Sequence, residues 1–253
     1  MEIPAEEFNE GFEAVERSTR VAALIREALG GDLPPEVEPY SFVPLAGLQR
    51  IATALRLGSG KTLVDLACGR GGPGMWVARE TGAHLVGVDY SAVAVAQAQA
   101  RIPLFGLDGR ARCLVGRLEA TGLPDASADA VMWVDAFQFG DPQATALEIA
   151  RILRPGARAA LTNWRPLRAG DEALPERVRD LDVAGALSAA QLSVLVNDDE
   201  PDWMALQRKA FELARDAGDP GDDQALLHLQ EEAERVLPSL DRVQRIFVVA
   251  ERP

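Results

Sequence analysis

One stretch limits what this chain can fold into more than any other: Thr62-Leu-Val-Asp-Leu-Ala-Cys-Gly-Arg-Gly-Gly-Pro-Gly74. It reads as a buried strand running into a glycine turn and then a helix. A second apolar strand follows, His84-Leu-Val-Gly-Val-Asp89, and it too ends on a carboxylate. Glycine has no Cβ, so a ligand can lie against bare backbone at such a turn. An acid at the tip of the second strand can accept both hydroxyls of a ribose. The pattern therefore predicts a nucleoside-containing ligand across the two strand ends.

The surrounding sequence carries the same rhythm onward. Strand 62–67 precedes a helix near 73–81, and strand 84–89 precedes helix 91–101, for which Ser91 is a suitable N-cap. Strands 112–116, 129–134 and 158–163 follow, with helix 142–153 before the last of them. Alternation of this kind predicts a parallel sheet with helices on both faces. Ahead of it, a helical segment runs to Gly30, and Leu45 to Leu57 forms another helix. After Trp164 the rhythm breaks. Residues 165–190 are mixed and partly helical, 191–196 reads as a strand, 202–216 and 222–236 as helices, and 243–250 as a closing apolar strand. A final hairpin on an otherwise parallel sheet fits this order. Three segments of one α/β domain result: an N-terminal helical cap (1–57), a ligand-binding core (58–164), and a helical insert with closing strands (165–253).

Composition excludes some functions. At 253 residues and 47% apolar, the chain can build a core without metals or disulfides. Cys68 and Cys113 lie in apolar surroundings and suggest no disulfide framework, as expected for the cytoplasm. The start of the chain has neither a basic region nor an apolar core, so it reads as no signal peptide, and no apolar run is long enough for a bilayer. The net charge of −13 argues against a nucleic-acid partner, which needs a positive surface.

Three readings of the glycine turn compete. Gly58-Ser-Gly-Lys-Thr62 lacks the first glycine of a phosphate loop, since residue 55 is leucine, and it precedes a strand rather than a helix. Gly69, Gly71 and Gly74 satisfy dinucleotide spacing, with Asp89 20 residues beyond Gly69, so a nicotinamide-dependent oxidoreductase is the second reading. Asp65 opposes it, because a carboxylate inside the strand end repels a pyrophosphate and suits an ammonium.

A third reading joins four blocks: Val64-Asp-Leu-Ala-Cys-Gly-Arg-Gly71, Val86-Gly-Val-Asp-Tyr-Ser91, Leu123-Pro-Asp-Ala-Ser-Ala-Asp-Ala-Val131 and Glu148-Ile-Ala-Arg-Ile-Leu-Arg-Pro-Gly156. In this order and spacing they resemble the class I S-adenosylmethionine-dependent methyltransferases, most closely the subgroup acting on small molecules and bacterial natural products. The resemblance implies a doubly wound, Rossmann-like, seven-stranded sheet, mostly parallel, with an antiparallel last strand and a helical cap. It implies S-adenosyl-L-methionine as cofactor and in-line methyl transfer, with O-methylation first and N- or C-methylation open.

The resemblance also distributes roles. Asp65 helps hold the methionine ammonium, and the backbone at Ala67, Gly69 and Gly71 follows the cofactor. Asp89 binds the ribose diol. Tyr90 lines the adenine, and Arg117, Leu118 and Glu119 close over its other face. Asp135, after the fourth strand, falls near the transferred methyl or the methionine end, and Gln138 stands where related O-methyltransferases place a histidine. Glutamine takes up no proton at neutral pH, so Asp135 serving as base, an acidic acceptor hydroxyl, or a nitrogen or carbon acceptor all stay open. The family usually has glycine at Ala67 and an acid at Arg117, and Arg70 adds a cation to the loop. Tyr40, Phe42, Phe139 and Trp164, with Phe137 and Trp203, mark a mainly apolar substrate pocket roofed by residues 1–45 and 165–236. No metal is expected. The N-terminal helices could pair two subunits or cover one pocket. A protein of this fold that no longer transfers methyl is a third function.

Overall fold

The computed structural model describes residues 4–31, 33–38 and 41–253. Among them, α1 (Ala5–Arg17), α2 (Thr19–Leu29) and α3 (Leu45–Leu55) precede a regular alternation: β1 (Thr62–Leu66), α4 (Gly72–Thr81), β2 (His84–Asp89), α5 (Ala92–Arg101), β3 (Ala111–Val115), β4 (Ala128–Val134), α6 (Pro142–Ile152) and β5 (Leu153–Pro166). The C-terminal part adds α7 (Glu176–Arg179), α8 (Val183–Ala189), β6 (Ser193–Asp199), α9 (Pro201–Arg215), α10 (Gln224–Val236) and β7 (Val243–Glu251). The strands form one seven-stranded sheet in the order β3-β2-β1-β4-β5-β7-β6. β1 to β5 pair in parallel, and β7 runs antiparallel to both neighbours, β5 and β6.

Both faces of this sheet are covered, which is why its strands read as continuous apolar runs. Successive residues go to opposite sides. Leu63, Ala130, Met132 and Phe247 join the core beneath α3, α4 and the helical cap. Val64, Val131, Trp133 and Val248 join the core beneath α6 and α8. The helix starts follow local chemistry: Ser91 Oγ accepts the Ala94 amide at 3.0 Å to cap α5, and Asp141 caps α6 ahead of Pro142.

The strand order reverses between β1 and β4, so a crevice opens at their carboxyl ends. α1, α2, α9 and α10 pack on one another over that edge.

Three boundaries differ from the sequence reading. The N-terminal helix is two helices, because Ser18 leaves the helical region and caps α2 through the Val21 amide. α3 stops at Leu55, where Arg56 turns left-handed with φ 52°. β5 extends over 14 residues, because its pairing with β7 continues to Pro166. The last two strands pair as expected, with the two expected helices, α9 and α10, between them, and β7 inserts between β5 and β6.

Candidate functional site

A cavity of about 260 Å³ occupies the crevice, lined by the glycine turn, the tips of β1, β2 and β4, α1, the loop after β3, and α7 and α10. Asp65, Ala67, Gly69, Gly71, Asp89, Tyr90, Arg117, Leu118, Glu119, Phe42, Asp135, Gln138, Phe139 and Trp164 all border it. Tyr40 lies outside the described residues. Phe137 and Trp203 do not reach it: Phe137 stacks on Trp133 at 4.8 Å in the opposite core, and Trp203 packs edge-on against Phe247.

The turn after β1 is built to bring backbone close to a ligand. Ala67, Gly69 and Gly71 all have positive φ, at 50°, 53° and 79°. The alanine is the costly member, since a Cβ in the left-handed region adds about 1–2 kcal/mol. That cost accounts for the glycine usual at this position in the family the sequence resembles. At Gly74 a Cβ would lie 2.2 Å from Asp65 Oδ2, so only glycine lets α4 start against that carboxylate.

Asp65 on β1 and Asp89, two positions further along the neighbouring β2, are both buried. Burial, followed by the nearby Cys113 and Asp89, pushes the Asp65 carboxyl well above the ordinary range. Among the described residues no cation pairs with it. Asp89 is also raised by burial, opposed by backbone amides. Its Oδ2 accepts the Gly69 amide at 2.7 Å and its Oδ1 the Ser91 amide at 2.9 Å. Each oxygen keeps one lone pair for a further donor, which suits a vicinal diol. Arg70 borders the same region; it pairs with Glu38 at 3.2 Å, while its Nε is buried without a partner.

Beyond β2, the Arg117 guanidinium lies 5.2 Å over the Tyr90 ring. Phe8 of α1 meets Tyr90 and Phe139 edge-on, at 6.4 and 5.5 Å. These rings and the Arg117 guanidinium line one side of the cavity. Glu119 turns partly out of it, since its Oε1 accepts the Asp141 amide at the start of α6.

Asp135 sits at the tip of β4 with φ 57°. The wholly buried Arg245 donates from one Nη to both its carboxylate oxygens, at 2.5 and 2.6 Å. Thr162 Oγ1 donates to Oδ1 at 2.7 Å, and the Phe42 amide to Oδ2 at 3.4 Å. Every lone pair of this carboxylate is engaged, which leaves none for a substrate proton. Gln138 Nε2 donates to the Asp135 carbonyl at 2.8 Å, and Gln138 Oε1 is buried without a donor. The Gln207 side-chain oxygen accepts from both Arg245 and the Trp164 indole, at 3.0 and 2.8 Å, and so holds that indole in place.

Sequence reasoning passed over Arg245, Phe8, Arg177 and Glu232, and assigned His228 no role. Arg245 had a signal: a cation amid the apolar run of β7 needs a buried anion. The other four come from α1, α7 and α10, whose facing sides are set only by docking onto the sheet edge.

A family model described as a methyltransferase domain matches residues 64–161. Botryococcene C-methyltransferase of Botryococcus braunii is 31% identical over 131 residues, 51% of this chain and 35% of that protein. The 27-O-demethylrifamycin SV methyltransferase of Amycolatopsis mediterranei is 33% identical over 135 residues, 52% of this chain and 50% of its own length. The matched region thus spans half or less of these relatives. Among solved structures, the [4+2]-cyclase SpnF superposes with a TM-score of 0.72 at 22% identity, covering 81% of this chain and 79% of the other. That likeness concerns the fold.

Proposed function

We propose that this chain, a class I S-adenosylmethionine-dependent methyltransferase by family, moves the cofactor's methyl to a small, largely apolar molecule, with a hydroxyl oxygen as the first-choice acceptor. The observation that carries the cofactor half is the buried, cation-free Asp65 beside a glycine turn of positive φ. A carboxylate in that position repels a pyrophosphate and gains from an ammonium.

In this reading Asp65 holds the methionine ammonium and Arg70 the methionine carboxylate. Ala67, Gly69 and Gly71 present backbone along the cofactor, and Asp89 accepts the ribose diol. Tyr90, Leu118 and the loop at Arg117 and Glu119 enclose the adenine. The bound cofactor supplies a methyl already activated by its sulfonium, so the protein's share is to align the acceptor and exclude water. Segments 1–57 and 165–253 act together as the cap that does this. Phe42, Phe139 and Trp164 give the acceptor side its apolar walls.

The test has two stages. Calorimetry is expected to show S-adenosylhomocysteine bound and NADH ignored; tight NADH uptake with indifference to S-adenosylhomocysteine would sink the proposal. Screening of small apolar acceptors is then expected to give methylated product and S-adenosylhomocysteine in equal amounts. A second reading, a rearrangement that keeps the cofactor intact, draws on the fully engaged Asp135; converted acceptor without S-adenosylhomocysteine would favour it.

A further inference from the structure

We propose that Glu232, on the cap helix α10, is the proton acceptor of this cavity, and that Arg177 and His228 beside it bind the hydroxyl of an apolar alcohol or phenol. The proposal rests on the methyl-transfer reading above and adds to it an acceptor class and a base.

A contrast in pairing carries it. Apart from Asp65, the charged groups toward the strand tips are engaged: Asp135 by Arg245, Thr162 and the Phe42 amide, Glu119 by the Asp141 amide, Glu38 by Arg70 and Arg101. At the cap end, Arg177 of α7 and His228 and Glu232 of α10 border the same cavity, and among the described residues none has a hydrogen bond or ion pair. Arg177 has only the face of Phe139, 5.5 Å from its guanidinium. His228 and Glu232 are four apart on one helix, so they share a face, and that face lines the cavity.

Of the three, Glu232 is partly buried, whereas Arg177 and His228 are exposed. Burial raises the Glu232 carboxyl, opposed by Arg235 and Arg177. Burial, and then Arg235, lowers Arg177. Among the described residues, the charges acting on Glu232 are Arg235 and Arg177, His228 shares its helix face, and α1 and α2 present Phe8, Phe12, Val15, Val21 and Ile25 to the cavity. An unpaired, partly buried acid with unpaired Arg177 and His228 beside it, at the edge of a mainly apolar space, forms a polar pole that a hydroxyl satisfies as donor and acceptor together. A carboxyl moved up toward neutrality by burial is also a better-matched base than an ordinary one.

The step balances without a further reactant. The acceptor hydroxyl gives its proton to Glu232, its oxygen forms the bond to the methyl, and the carbon–sulfur electron pair stays on sulfur, leaving a neutral thioether. Glu232 then returns the proton to water.

The test uses the full chain saturated with S-adenosylhomocysteine, with 2-naphthol and 2-methoxynaphthalene as calorimetric probes. The expected result is naphthol bound at least about tenfold more tightly, ~1.4 kcal/mol. Glu232→Gln is expected to remove most of that preference, and Glu232→Asp to keep part of it. Carbon-13 detection of the Glu232 carboxyl is expected to show a titration above that of an ordinary glutamate, displaced when naphthol binds. Equal affinity for the two probes, binding of neither, or a preference untouched in Glu232→Gln would overturn the proposal and leave the cofactor reading standing. An ordinary Glu232 titration that naphthol does not move would do the same. Failure to bind S-adenosylhomocysteine would remove both.

Discussion

The two ends of the cavity are made by different means. The cofactor end is carried by strand tips and the turn that follows them: Asp65 on β1, Asp89 on β2, and the left-handed residues 67, 69 and 71. Parallel pairing fixes them, since Asp65 lies opposite Gly87 and Asp89 opposite Val115 in the register. The cap end is carried by helices remote in sequence, with Phe8 from α1, Arg177 from α7, and His228 and Glu232 from α10. One end is rigid by hydrogen-bond ladder and the other is positioned by apolar packing. Such a division suits a protein that binds one constant cofactor and one particular acceptor.

The junction between the ends is the Asp135–Arg245 pair, and breaking it has the largest expected effect. Arg245→Met leaves a carboxylate buried without its cation and is expected to cost about 3–5 kcal/mol, read by urea unfolding. The double variant Asp135→Asn, Arg245→Met is expected to recover most of that loss. A single variant as stable as the parent would show that the pair does not tie the ends together.

Asp65→Asn separates function from stability at the cofactor end. It is expected to weaken S-adenosylhomocysteine binding by about 1.5–3 kcal/mol, the scale of a charge-assisted hydrogen bond. It is also expected to raise the melting temperature of the free protein at neutral pH, because it removes a desolvated charge. A loss of stability with unchanged affinity would mean that Asp65 is structural.

The pH dependence follows from the same residue. Its folded-state carboxyl lies above its unfolded value, so its stabilising contribution is present below the unfolded value and is lost as pH rises through the folded one. Binding has the opposite sign. The ammonium pairs with the ionised form, so affinity for S-adenosylhomocysteine is expected to increase with pH across that window. In Asp65→Asn the increase is expected to vanish, as calorimetry in buffers of different pH would show.

Smaller effects separate the ends further. Ala67→Gly is expected to stabilise the free protein by roughly 1 kcal/mol through relief of its left-handed backbone, offset in part by glycine's greater chain entropy. Phe139→Ala, on a ring 40% exposed, is expected to alter stability by less than about 0.5 kcal/mol. The same change is expected to weaken naphthol binding by loosening Arg177. A large fall in stability would place Phe139 in the core.

The glycine turn and the strand-tip carboxylates that border the cavity were legible in the sequence because each of these features is local. A glycine that a turn requires, an acid at a strand tip and a serine one residue ahead of a helix are visible within a few positions. Trp203 and Phe137 went astray because closeness in sequence does not fix which way a helix or turn side chain faces: Trp203 of α9 packs on Phe247, and Phe137, in the turn after β4, stacks on Trp133. Asp135 was found where expected, but its engagement was not legible: Arg245 stands 110 residues away and reaches it only because β7 pairs antiparallel with β5, Arg245 opposite Trp164.

Period-two and helical patterning, with the glycine turn, determined a doubly wound sheet and a crevice suited to a cationic nucleoside; these are short-range consequences of sterics and burial. Which carboxylate is quenched and which stays available was settled by tertiary structure. Pairing between charges depends on distances across elements that only the folded sheet and its docked cap bring together, and no local pattern encodes them.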